Sequence, residues 1–350
     1  MKTGEIIYNS IKSRFDALAK PIDGLGRFED MICSIGAIQG REEPDISRKA
    51  LVIMCADNGV TKEGISQTDG AVTAKVAALM AKGESSACLM ARQTGAEIIP
   101  VDIGIDCQGP FPGLVDKKIM AGTKDIVRQD AMPQESCLAA IKAGEDIVIE
   151  CAGKGIGIIA TGEMGIGNTT TSTALFCAIT GCDPGEVTGR GAGLSDVGLM
   201  KKINVIETAL SYHGYDSGNS LFSSGDVLTA LCALGGLDIA GLVGVYKGCA
   251  DNNIPVIVDG AISAVAALVA SLIFPGCEKA MLPSHTGREK ITARILDILK
   301  MTPVINGDMA LGEGTGAVMM FPLLDMAMAV FDGLSRFEDA DIIPYGRFDK

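Results

Sequence analysis

At 350 residues the chain has room for one large α/β domain with or without a smaller lobe, and 47% hydrophobic residues give it a sizeable core. Aromatics are only 4% and Trp is absent, so that core has to be built from Ala, Ile, Leu, Val and Met. A formal charge of −13 excludes a basic nucleic-acid surface and disfavours anionic membranes, yet local N–H groups and one lysine can still hold an anionic small substrate.

The eleven cysteines are odd in number and scattered without CxxC pairs, and two histidines leave little from which to build a zinc site. Buried free thiols in a reducing cytoplasm fit this usage. The N-terminus, with Glu5 and no long apolar run, is no signal peptide. The apolar segment Ala261 to Phe274 is too short to span a membrane, and Met319 to Val330 is interrupted by Pro322 and Asp325. The chain reads as soluble and cytoplasmic.

In chain order, Glu5 to Leu18 has helical spacing, with Ile6, Ile7, Ile11, Phe15 and Leu18 on one face. Lys20-Pro21 breaks it, and a turn leads into a second helix through about Ile38. Arg41 to Lys49 reads as a linker. Ala50 to Ala56 is a continuous apolar run, the pattern of a strand covered on both faces, and ends in Asp57-Asn58-Gly59. Val72 to Ala91 is a predicted helix, Glu97 to Ile105 a strand, Gly109 to Gly122 a loop and Gln134 to Ala152 a helix. Gly155 to Ala160 is a third strand, running into the glycine-rich loop Thr161 to Thr170 and a helix through Ile179. Helices are expected over Lys201 to Leu210 and, once or twice, over Asp226 to Cys249. A short strand, Ile254 to Val258, precedes the apolar helix Ala261 to Phe274, and Ala280 to Leu282 is a further strand before a helix over Lys290 to Lys300. The last long helix follows Leu311-Gly312-Glu313-Gly314-Thr315-Gly316-Ala317. Recurrent strand–loop–helix units with apolar strands predict a Rossmann-like doubly wound, mainly parallel sheet. Ligands bind at the carboxyl ends of such strands, where the loops beginning at Asp57, Gly162, Asp259, Ser284 and Glu313 would lie. The expected divisions are a large domain over residues 46–325 and a small helical lobe built from 1–45 and 326–350.

Two glycine-rich loops carry chemistry. In Gly312 to Ala317 one carboxylate sits among glycines before a helix, which suits a phosphate on free N–H groups and a general base at Glu313. The plain alternative is a turn with a solvated glutamate. Gly162-x-x-Gly165-x-Gly167 is not the dinucleotide fingerprint and lacks a P-loop lysine. What remains is an anion-binding nest at a helix start with Glu163 beside it, or a tight turn capped by Asn168 or Thr169. Gly189 to Asp196 is a further glycine-rich loop, with Lys201 and Lys202 nearby. His285 and Ser284 form no triad. Asp57, Asp102 and Asp106 gather carboxylates on the same edge without indicating a metal.

These motifs converge. KPIDGLGRFE, MCADNGV, VDIGID, GEMGIGNTTTSTAL, TGRGAGLSDVGLMKK, GGLDIAGLVG, PVIVDG, PSH and LGEGTGA occur in order over nearly the whole chain. Together they resemble the nicotinate-nucleotide–dimethylbenzimidazole phosphoribosyltransferase family, which activates the lower ligand in cobamide synthesis. The resemblance implies a dimer with sites near the interface and Glu313 as catalytic base. It puts the nucleotide near Glu163, Met164, Gly165, Gly167, Asn168, Lys202, Ser284, Gly312 and Gly314. Asp57, Asn58, Ser66, Val76 and Leu311 are expected at the acceptor pocket. The implied substrates are nicotinate mononucleotide and an aromatic acceptor, with no cofactor and no metal. The chain departs from the family pattern at Asp57-Asn58-Gly59, where Asp-His-Gly is usual, and over Ile65 to Val76. The acceptor is therefore a benzimidazole, a purine or a phenol, and the partner a second copy or a homologous chain. The competing readings are a non-catalytic subunit of a heterodimer and a nucleotide-binding oxidoreductase.

Overall fold

A computed structural model describes residues 3–346 other than 216, 217 and 224. The chain runs α1 (Thr3–Ala17), α2 (Arg27–Gln39), β1 (Lys49–Ala56), α3 (Ala71–Lys82), α4 (Ser86–Gln93), β2 (Glu97–Gly104), β3 (Val115–Asp116) and α5 (Gln134–Gly153). It continues β4 (Ile158–Met164), α6 (Asn168–Thr180), α7 (Pro184–Val187), α8 (Asp196–Tyr212), α9 (Val227–Leu234), α10 (Leu237–Asp251), β5 (Val256–Val258) and α11 (Ala261–Ile273). The last elements are β6 (Met281–Pro283), β7 (His285–Gly287), α12 (Lys290–Ile298), β8 (Ile305–Met309) and α13 (Thr315–Gly333).

The main sheet has six strands in the order β3-β2-β1-β4-β5-β6, every pairing parallel. The doubly wound expectation holds. β1 shows why both faces had to be apolar. Ala50, Val52, Met54 and Ala56 point into the core built with α5, α10 and α11. Leu51, Ile53 and Cys55 point the other way, into the core shared with α1, α2, α4 and α13. In that second core Phe15 of α1 meets Phe331 of α13, with ring centroids 4.9 Å apart. The order reverses between β1 and β4, paired from Lys49↔Ile158 to Cys55↔Met164, which opens a crevice at their carboxyl ends.

Local expectations are corrected at several points. The helix over Val72 to Ala91 is two helices: Gly83 is left-handed at φ 71° and ends α3, and the Ser85 hydroxyl caps α4 by accepting the Cys88 N–H. β4 extends past Ala160 to Met164, so Glu163 stands on a strand rather than in a loop. A second, two-stranded parallel sheet, β7 with β8, follows Ser284 and flanks the same edge. Ile6, expected on the buried face of α1, is 49% exposed. α13 is long and apolar enough to cross a membrane by length and composition, but Ala317, Val318, Met320, Phe321, Leu324 and Phe331 bury it as a core helix. All eleven cysteines are free thiols, buried except for the half-buried Cys107 and Cys182.

Candidate active site

A cleft of about 190 Å³ opens at the β1/β4 crevice and reaches to α8, α12 and the loop before α13. Of the residues expected at the site, Glu163, Met164, Gly165, Gly167, Asn168, Lys202, Gly312, Glu313, Ser66 and Leu311 line it.

At one end stands Glu313. It occupies a left-handed conformation, φ 59°, between Gly312 at 82° and Gly314 at 88°. Such a run is unfavourable for a side chain with a Cβ and persists only where its surroundings hold it. Two contacts hold it here. The Glu313 carbonyl packs on Gly162, where a Cβ would come within 2.5 Å of it. Glu313 Oε2 accepts the Ala87 N–H at 3.2 Å, at the start of α4. The unexpected break at Gly83 thus creates the helix N-terminus that fixes the carboxylate.

Behind Glu313 lies Glu163. Strand alternation sends its side chain toward α10, where Asn168 Nδ2 donates both to Glu163 Oε2 and, at 2.9 Å, to Asp238 Oδ2. Burial first, then the charge of Asp238, pushes the Glu163 carboxyl up to about 8 despite the Asn168 hydrogen bond. Burial also raises Asp238, to about 6, against the lowering effect of its Asn168 and Ile239 hydrogen bonds.

Lys202 of α8 marks the opposite end. It is 1% exposed, donates to Thr169 Oγ1 at 2.8 Å, and among the described residues has no ion-pair partner. Burial pushes its amine down to about 8, with the nearby Glu289 charge acting the other way. Glu289 accepts the Gly191 N–H at 3.0 Å. A buried, singly bonded ammonium beside a glycine loop is built to receive an anion.

Five expected residues lie outside the lining. Ser284 Oγ is committed to the Val258 carbonyl at 2.6 Å and to His285 Nδ1 at 3.0 Å. The N–H groups of Gly314 and Ala317 go to the Asp259 carboxylate, at 3.2 and 2.9 Å, so the start of α13 is filled by the protein itself. Asp57 accepts the Asp106 N–H at 2.8 Å and ties β1 to the end of β2, and burial raises its carboxyl. Asn58 is buried, with Nδ2 unpartnered. Val76 packs on α3 against the α13-side core. Asp102 does not join a carboxylate cluster, since it takes the Ile105 N–H and pairs with Lys118.

Residues 3–342 match the family model described as Phosphoribosyltransferase. The chain belongs to the nicotinate-nucleotide–dimethylbenzimidazole phosphoribosyltransferase family. It is 40% identical over 335 residues to the Acetivibrio thermocellus protein of that name, covering 96% of this chain and 93% of the relative. The Ruminiclostridium cellulolyticum protein of the same name is 39% identical, covering 95% of this chain and 93% of its own length. Among solved structures, CobT from Thermus thermophilus superposes with a TM-score of 0.88 at 30% identity, covering 97% of this chain and 99% of that one. This chain is accordingly a phosphoribosyltransferase. The sequence places Asp259 on the ligand edge but not as the acceptor for the start of α13, and it does not single out Glu289, Thr169 as the partner of Lys202, or the Ala87 N–H. Asp259-Gly260 at a strand end and Gly83-Glu84-Ser85 inside an apolar helix were the available signals.

Proposed function

We propose that this enzyme transfers the phosphoribosyl group of nicotinate mononucleotide to an aromatic lower-ligand base, releasing nicotinate and an α-riboside 5′-phosphate for cobamide assembly. The observation that carries the reading is one cleft with a fixed carboxylate, Glu313, at one end and a buried ammonium, Lys202, at the other. The nucleotide phosphate binds at Lys202, Thr169 and the Gly191 loop, with Glu289 giving way. That places the ribose toward Glu163 and Gly312, and the anomeric carbon toward Glu313.

The acceptor attacks that carbon from the face opposite the pyridinium. Its lone pair forms the new bond while the C1′–N bond breaks, and the electron pair neutralises the departing ring, so the leaving group takes no proton. The acceptor's own proton passes to Glu313. Because Ala87 holds Oε2, Oε1 is the oxygen left to receive it. Fixing both partners at the ends of one cleft supplies much of the rate.

Ser66, Leu311 and Met164 supply walls on which an aromatic acceptor can lie. Leu311, Met319 and Met326, exposed beside the cleft and along α13, support a second chain covering it, a copy or a homologue. The packing of α1 and α2 against α13 supports a lobe made from residues 1–45 and 326–350. The reduced cysteines fit a cytoplasmic enzyme.

The test is a mass-spectrometric panel: the chain alone with nicotinate mononucleotide and benzimidazoles, adenine, phenol or p-cresol. Nicotinate and an acceptor riboside phosphate are expected with at least one acceptor. No nicotinate release with any of them would refute the reading and leave a non-catalytic subunit.

A further inference from the structure

The segment Gly235-Gly236-Leu237-Asp238-Ile239-Ala240-Gly241 has no part in the chemistry so far, yet it delivers a carboxylate to the back of the site. Asp238 is fully buried at the start of α10, outside the cleft lining, and Glu163 stands in front of it at 7% exposure. The two share one neutral donor, Asn168 Nδ2. Among the described residues neither carboxyl has an ion-pair partner.

The surroundings add negative charge from every side. Asp57 follows β1, Asp259 follows β5, and Glu313 precedes α13. Asn58, after β1, brings an amide beside Asp238 but no charge. His285 lies 4.0 Å from Asp259, not against the pair. Two buried carboxylates on one amide cannot both stay ionised without a cation. The backbone decides which ionises. Asp238 also accepts the Ile239 N–H at 3.0 Å, in the first turn of α10, whereas among the described residues the Glu163 carboxylate accepts from Asn168 alone.

Resting on the proposed nucleotide site, we propose that Asp238 is a positioning residue that keeps a single proton on Glu163, so that Glu163 meets the nucleotide as a hydrogen-bond donor to an acceptor oxygen. No bond is made or broken: Asp238 acts through its charge, and Glu163 contributes an O–H where an ionised carboxylate would repel an anionic ligand. The raised Glu163 and the lower Asp238 agree with this division.

The experiment is calorimetric binding of nicotinate mononucleotide to the full chain between about pH 6 and pH 9.5, with Glu163→Gln and Asp238→Asn alongside. In wild type both Glu163 and Lys202 lose protons on the alkaline side, so affinity falls with a limiting slope of about two decades per pH unit. Glu163→Gln keeps a donor that cannot ionise, so only the Lys202 limb of about one decade per pH unit remains. Asp238→Asn removes the charge that holds the proton. Its affinity matches wild type within about threefold near pH 6, and its alkaline fall begins about one pH unit earlier.

A Glu163→Gln profile parallel to wild type overturns the inference. So does an Asp238→Asn variant weakened equally at every pH, which is the mark of a structural role alone. Wild type that binds no nicotinate mononucleotide at any pH overturns the nucleotide reading itself and this inference with it.

Discussion

The two glycine-rich stretches at the sheet edge, Gly162 to Thr170 and Leu311 to Ala317, are near twins in sequence and opposites in use. Each lies at the end of a strand and opens a helix, but the first carries its glutamate on the last residues of β4 and the second in the loop after β8. At the first, α6 starts beside Thr169, whose hydroxyl faces the buried ammonium of Lys202, and that end of the cleft is open to an anion. At the second, the N–H groups of Gly314 and Ala317 are already taken by Asp259. The loop that looked most like a phosphate cradle instead holds a carboxylate in a strained conformation. A glycine run before a helix makes N–H groups available, and what lies across the sheet edge decides whether a ligand or the protein takes them.

The contrast gives graded ways to break it. The largest effect is expected at the second loop. Glu313→Gln should lower kcat about 10²–10⁴-fold, the usual weight of a positioned general base, with nucleotide affinity changed less than about threefold. Steady-state kinetics with calorimetry checks this, and equal losses in both would make Glu313 a binding group.

Asp259→Ala comes next. It leaves two buried N–H groups without a partner at the start of α13, at a cost of about 2–3 kcal/mol read in denaturant titration. A cost under about 0.5 kcal/mol would mean that this helix start is not filled by Asp259 in solution.

At the first loop, Lys202→Met should raise the nucleotide Kd about 10–100-fold, while Lys201→Met changes it less than about twofold. The Lys202 amine, lowered to about 8, gives this a pH signature. Phosphate affinity holds below that value and is lost as pH rises through it. The folding contribution has the opposite sign. The unfolded chain binds this proton more tightly, so stability gains as pH rises from about 8 toward the ordinary lysine value, and Lys202→Met abolishes that gain.

The smallest effect is at the hinge between α3 and α4. Ser85→Ala removes the cap and should cost about 1 kcal/mol in stability. A fall in kcat of a few fold should accompany it, because the same helix start holds Glu313.

Much of this is legible in the sequence. The β1 run, apolar at every position from Ala50 on, announces a strand buried on both faces, and the spacing of Ile7, Ile11 and Phe15 gives the buried stripe of α1. Glu313, Glu163 and Lys202 stand out among the glycine-rich motifs and do meet in one cleft. What escapes is long-range pairing. Nothing near Gly314 in sequence says that Asp259, fifty-five residues earlier, takes its N–H. Nor does the local pattern show that Ser284 is spent on Val258, or that Asp238 reaches Asn168 across seventy residues. The Gly83 break is visible but outweighed by a continuous helical pattern on either side. Gly162 and Gly165 punctuate so strongly that they suggest a loop around Glu163, although strand pairing with β1 runs through to Met164.

The contrast between the two loops can be settled by one measurement, the crystal structure of the chain with nicotinate mononucleotide bound. The expected result has the phosphate on Lys202 Nζ and Thr169, Glu289 displaced from the Gly191 N–H, and C1′ within reach of Glu313. A phosphate seated on the Gly312 and Gly314 N–H groups, with Asp259 pushed away from α13, would contradict the account.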